Sequence, residues 1–187
     1  MRSSTPVSPF SRRALLAMGL TALAGGLLAP RGYAKTGLLA GAAAPPATLV
    51  TLDGERVDTA TLAGQVVILA FWATWCVPCR EELPLLSEYA VRHAHDGLRV
   101  LGFSLDPAER RSEVRAFAAP LRFPVGLLAE SNASGYGRMW RLPVSFVIAR
   151  DGTLAVNGWD EKNPVWTAER LEREVTPLLA TPPAEGR

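Results

Sequence analysis

The chain's only two cysteines lie two residues apart, within Phe71-Trp72-Ala73-Thr74-Trp75-Cys76-Val77-Pro78-Cys79-Arg80. That placement constrains the fold more than any other feature. An apolar, β-branched run ends just before them and helical spacing begins just after, so a strand must lead into a helix with two thiols at the junction. Two thiols so placed make a redox couple. Half of a zinc site is an alternative, but zinc needs four ligands. The only other nitrogen candidates are His93 and His95, on what reads as the solvated end of a helix. A purely structural disulfide is the other alternative, and a bridge closing so short a loop restrains the unfolded chain little.

The 187 residues are 48% hydrophobic and 20% charged, which suits one globular domain. The formal charge of +2 comes from the N-terminus, where Arg2, Arg12, Arg13 and Arg31 precede any acid. The remainder carries 16 basic and 18 acidic residues, a net of −2. That balance excludes a nucleic-acid footprint. Ser11-Arg12-Arg13-Ala14-Leu15-Leu16 heads a Gly- and Ala-rich apolar stretch ending at Ala29, and this resembles a twin-arginine export signal. Gly32-Tyr33-Ala34 offers small residues for cleavage after Ala34. As an uncleaved anchor, the stretch from Ala14 to Ala29 would span about 24 Å of helix, short of the ~30 Å hydrocarbon core. The expected organisation is a signal peptide over 1–34, a linker over 35–44, one domain over 45–180 and a tail over 181–187. The expected location is the periplasm, where disulfide chemistry has substrates.

Along the domain, Thr48 to Leu52 and Arg56 to Asp58 flank Asp53-Gly54, a two-residue hairpin signal. Gln65 to Trp72 is apolar without alternation, as in a strand buried on both faces. Helical spacing follows from Pro78 to about His93, then a strand over Arg99 to Ser104 and a helix over Glu109 to Ala118. Val125 to Leu128 reads as a short strand and Ser134 to Trp140 as a short helix. Val144 to Ala149 and Leu154 to Trp159 flank a second hairpin signal, Asp151-Gly152. A last helix is expected from about Thr167 to Leu179. This order joins a parallel half to an antiparallel half and makes an α/β sandwich.

The block Trp75-Cys76-Val77-Pro78-Cys79-Arg80-Glu81-Glu82-Leu83-Pro84, with Leu142-Pro143 before a later strand and Gly158-Trp159-Asp160 beyond it, resembles the TlpA-like and ResA-like thioredoxins. These are extracytoplasmic thiol-disulfide oxidoreductases. The resemblance covers about Pro45 to Leu179. It implies a thioredoxin fold, a three-layer α/β/α sandwich with a mixed central sheet and an N-terminal β-hairpin. It implies no cofactor and no metal.

The resemblance also assigns roles. Cys76 is the nucleophile at a helix N-terminus, where free N–H groups stabilise a thiolate, and Cys79 is the resolving thiol one turn on. Pro78 stiffens the first turn, and Val77 adds no charge. Pro143 matches the cis-proline that packs opposite the sulfurs, leaving Leu142 a free backbone edge for a client strand. Relatives often have Gly two residues before that proline, where this chain has Arg141, and Thr after it, where this chain has Val144. Ordinary thioredoxins carry an aspartate six residues before the first cysteine, a place held here by Ala70. The TlpA-like group carries an acid three residues after the second cysteine, which matches Glu82. Glu82 is then the general base that takes the Cys79 proton; otherwise it is a solvated helix-face carboxylate. Trp75 is expected at the docking groove and Trp72 in the core, with Trp140, Trp159 and Trp166 as packing. Ser104-Leu105-Asp106 is either a turn or part of recognition.

Three functions follow. The first is a reductase of client proteins with cysteine pairs, of the cytochrome c maturation or oxidase copper-site type, monomeric and fed by a membrane thiol donor. The second is a disulfide donor. The third is a copper chaperone using both thiols as soft ligands, though the chain has no Met-rich or His-rich cluster. A peroxiredoxin would want a Pro-x-x-x-Thr/Ser run before its cysteine, and Phe71 to Cys76 has none.

Overall fold

The computed structural model describes residues 37–181. The expected signal peptide over 1–34 and most of the expected tail lie outside these residues. Among the described residues there are seven strands: β1 (Thr48–Val50), β2 (Arg56–Asp58), β3 (Val66–Trp72), β4 (Leu98–Ser104), β5 (Val125–Leu127), β6 (Val144–Ile148) and β7 (Leu154–Val156). Four α-helices accompany them: α1 (Val77–Arg92), α2 (Arg111–Ala118), α3 (Ala168–Glu174) and α4 (Thr176–Ala180).

The main sheet has the order β5-β4-β3-β6-β7. β3 runs parallel to β4 and antiparallel to β6, and every residue of β3 is buried. Its alternation explains why. Val66, Ile68, Ala70 and Trp72 join one core with Leu83 and Leu86 of α1, Val114 of α2 and Leu171 of α3. Val67, Leu69 and Phe71 join a second core with Leu49, Tyr136 and Phe146. Strand order also decides which face the helices take. The connections β3-α1-β4 and β4-α2-β5 step in the same direction, so two right-handed crossovers place α1 and α2 on one face. The return from β5 to β6 crosses the other face. It is built from 3-10 turns at Leu128–Glu130 and Ser134–Tyr136, backed by the β1–β2 hairpin, so the second outer layer is thin.

The short helix expected from Ser134 to Trp140 is therefore one 3-10 turn. Gly137 ends it at φ +83°, a left-handed conformation that glycine adopts without strain. The last helix breaks into α3 and α4 at Val175, because Pro177 has no N–H to return to the Arg173 carbonyl. Both Asp-Gly hairpins turn through three residues rather than two. The Thr51 N–H bonds the Glu55 carbonyl and the Ala149 N–H bonds the Thr153 carbonyl, with Gly54 and Gly152 at positive φ. In the first loop Leu52 is diverted, since its N–H bonds the Val125 carbonyl of β5. At that junction a Cβ on Gly126 would stand 1.9 Å from the Val50 carbonyl oxygen, so only glycine fits.

The stretch expected as a linker is partly tied down. The Gly41 N–H bonds the Leu154 carbonyl, the Ala44 N–H bonds the Gly152 carbonyl, and the Leu38 carbonyl accepts from the Asn157 amide. These bonds cover the otherwise open edge of β7.

Candidate active site

The site forms where β3 ends and α1 begins. Cys76 is the N-cap of α1, with extended backbone (φ −83°, ψ 100°), and its Sγ accepts the Cys79 N–H at 3.3 Å. Pro78 occupies the first turn, where a missing N–H costs nothing. Pro84 continues the helix from its exposed side, so water can reach the Arg80 carbonyl it leaves free. Cys76 and Cys79 are joined in a disulfide, and both are buried. Beside them Trp75 and Val77 are 60% and 64% exposed, an apolar rim around the sulfurs.

The loop before Cys76 is held from β4. The Asp106 carboxylate accepts the Thr74 N–H at 2.8 Å, the Thr74 hydroxyl at 2.7 Å and the Ser104 hydroxyl at 2.8 Å. The Leu105 N–H bonds the Trp72 carbonyl at 2.8 Å. Ser104-Leu105-Asp106 is thus a brace for the loop that presents Cys76. The Leu142–Pro143 bond is cis, and Pro143 is buried. β6 begins at Val144 opposite Phe71, so continuing that register sets Pro143 and Leu142 against the end of β3 that leads to Cys76. Ala70, in the position of the thioredoxin aspartate, pairs with Ser145 and brings no charge.

Glu82 shares a helix face with Cys79, three residues on. It is 2% exposed, so it is not a solvated carboxylate. Its Oε2 accepts the Trp166 N–H at 2.8 Å. Burial pushes its pKa from 4.5 up to about 7, opposed by that N–H and by the positive charge of Arg170. An acid poised near neutrality can exchange a proton in the physiological range.

Among the tryptophans, Trp72 and Trp166 are buried and Trp159 is half-buried. Trp140 is a correction: it is 69% exposed and stacks on Trp159 with ring centroids 5.4 Å apart. The Arg141 side chain that replaces the family's glycine donates through Nη2 to the carbonyls of Gly158, Trp159 and Glu161 at 2.6, 3.1 and 3.0 Å. Sequence reasoning missed Thr74, Arg170 and the Trp166 N–H. The spacing of Arg170 and Glu174 was the only available hint, as a helical i, i+4 pair.

The AhpC/TSA family matches residues 40–157. The chain belongs to that family. Its curated relatives include the thiol-disulfide oxidoreductase ResA of Bacillus cereus, 31% identical over 142 residues, covering 73% of this chain and 79% of ResA. The thioredoxin-like protein YneN of Bacillus subtilis is 34% identical over 128 residues, covering 64% and 71%. Among solved structures, a thioredoxin-family thiol:disulfide interchange protein from Chlorobium tepidum aligns with a TM-score of 0.62 at 26% identity, covering 74% of this chain and 96% of its own. A secreted disulfide oxidoreductase from Mycobacterium tuberculosis, homologous to DsbE, aligns at 0.56 and 25%, covering 70% and 94%. The protein is a thiol-disulfide oxidoreductase with a thioredoxin fold, and its substrates are cysteine-containing proteins. No helix among the described residues is long and apolar enough to cross a membrane.

Proposed function

We propose that this oxidoreductase works in the periplasm as a reductase of selected client disulfides, of the kind opened before haem attachment to cytochrome c or during oxidase copper-site assembly. A twin-arginine signal exports it, and a membrane thiol donor restores its dithiol. In the working direction, the Cys76 thiolate attacks one sulfur of the client disulfide and expels the other as a thiolate. Glu82 takes the Cys79 proton. Cys79 then attacks the Cys76 sulfur, re-forming the Cys76–Cys79 bond and releasing the client as a dithiol. Two electrons pass from enzyme to client, and the donor's two thiols return them. Trp75, Val77, Pro78, Leu142 and Pro143 form the docking surface for the client strand.

The observation that carries this reading is the buried Glu82 one turn beyond Cys79. A carboxylate there opposes a second negative charge on Cys79, so the reduced form gains little from ionisation and gives up its electrons readily. The uncharged Val77-Pro78 insert adds nothing to stabilise a dithiolate. The test is the reduction potential of the pair, equilibrated against dithiothreitol and followed by tryptophan fluorescence. The expected value lies at or below about −270 mV. A value near about −120 mV would reverse the direction and make the protein a disulfide donor.

A further inference from the structure

Residues 157–167, between β7 and α3, contain no helix or strand, yet they supply the one N–H that Glu82 receives. Two guanidinium groups hold this segment. Arg141 grips its first part through three carbonyls, as described above. Arg170 grips its second part. Its Nη1 donates to the Asn163 and Pro164 carbonyls at 3.2 and 2.7 Å, and its guanidinium carbon stands 4.1 Å from the Trp166 ring centroid. The same side chain pairs with Glu174 at 2.9 Å and Glu161 at 3.3 Å while remaining buried. A planar five-donor group can serve four acceptors in different directions, and a three-donor ammonium cannot.

We propose that Arg170 is a positioning residue for Glu82: its grip on the Asn163–Trp166 stretch keeps the Trp166 N–H on the Glu82 carboxylate and holds a positive charge beside a buried acid. The inference rests on Glu82 acting as the proton acceptor for Cys79. Burial favours the neutral acid, and two influences oppose it: the Trp166 N–H and the field of Arg170. Arg170 supplies the second and secures the first. The other charged groups nearby are accounted for. Glu161 on the connecting segment pairs with Arg170, and Glu174 on α3 is shared between Arg170 and Arg173, so two acids face two arginines. On α1, Cys79 is uncharged in the disulfide and Glu81 is exposed. Ala70 and Ser145, paired across β3 and β6, bring no charge. Without Arg170, Glu82 therefore stays protonated at neutral pH, where it cannot accept the Cys79 proton.

The test uses the full chain and two readouts. Infrared difference spectroscopy follows the Glu82 carboxyl band, identified as the band lost in Glu82→Gln. Stopped-flow measurement follows release of a client peptide from its mixed disulfide with Cys76 as a function of pH. In Arg170→Met both midpoints should rise by about one pH unit. In Arg170→Lys, which keeps the charge and loses the grip, they should rise by less. The lysine variant carries the test if the methionine variant does not fold. A purely structural arginine would lower thermal stability and leave both midpoints in place. A folded variant with the wild-type midpoints overturns the inference alone. If Glu82→Gln leaves the release profile unchanged, the reading of Glu82 as base fails and the inference falls with it.

Discussion

Asp106 at the end of β4 and Glu82 on α1 are both buried carboxylates serving the Cys76–Cys79 bridge, and they differ in how many donors they receive. Asp106 accepts from the Thr74 N–H, the Thr74 hydroxyl and the Ser104 hydroxyl, with Arg110 3.9 Å away. Glu82 accepts from one backbone N–H. Three donors offset the cost of burying a charge, so Asp106 can act as a fixed anchor for the loop before Cys76. One donor does not, so Glu82 is left close to its protonation midpoint. Burial alone does not decide what an acid does; the donors that share its pocket do. In the proposed mechanism the entry to Cys76 is braced by Asp106, and the exit from Cys79 has Glu82 as its proton acceptor.

The sharpest separation of the two ends comes from Cys79→Ser. Attack by Cys76 is retained and release is lost, so client proteins should accumulate as mixed disulfides on non-reducing gels of whole-cell extracts. If no trapped species forms under any redox condition, the exchange mechanism is wrong.

Glu82→Gln should come next in size. Positioned acid–base catalysis contributes roughly 10²-fold or more, so release should slow by about that factor and lose its dependence on pH near 7. Stability should move the other way. The folded state holds the Glu82 proton up to about pH 7, whereas the unfolded chain releases it near 4.5. This group's contribution is complete below pH 4.5 and is lost as pH rises through 7. The loss amounts to about 3 kcal/mol at 1.36 kcal/mol per pH unit. Urea unfolding at pH 5 and pH 8 should show the variant gaining on the wild type by that order at the higher pH. Equal differences at both pH values would mean that Glu82 does not titrate in this range.

Much of this arrangement is legible in the sequence, for reasons that also mark where legibility ends. β3, α1 and β4 follow from apolar runs and helical spacing because both faces of β3 are covered by the chain's own elements. The hairpins are readable from Asp53-Gly54 and Asp151-Gly152. Their loop length is not, because Leu52 bonds across to Val125 on another strand. Glu82 stands out by its offset from Cys79. Its partner does not, since the Trp166 N–H lies 84 residues away and every residue but proline has one. Trp140 reads as packing, and it does stack on Trp159, but nothing local in the sequence marks it as exposed. Lysine is scarce, with only Lys35 and Lys162 in the chain, and several arginines make contacts that a lysine could not. Arg141, Arg150 and Arg170 each bond two or more backbone carbonyls at once, among them Gly64, Asp96 and Leu179 for Arg150. A guanidinium can span several acceptors in that way.

Asp106→Asn probes the other half of the comparison and should have the smallest effect. The amide keeps one acceptor oxygen and turns an NH2 group toward donors from Thr74 or Ser104, so at least one buried donor loses its partner. Hydrogen bonds to a charged acceptor are worth about 1.5–3 kcal/mol, and a loss of about 2 kcal/mol in urea unfolding is expected. Exchange should slow only as far as the Thr74–Cys76 loop loosens. The pH midpoint of release should not move, because Asp106 reaches that loop through Thr74 and has no bond to Glu82, Trp166 or Arg170. A shifted midpoint in Asp106→Asn would show that the loop before Cys76 and the Glu82 pocket are linked. The division between a braced entry to Cys76 and a proton-accepting exit from Cys79 would then have to be given up.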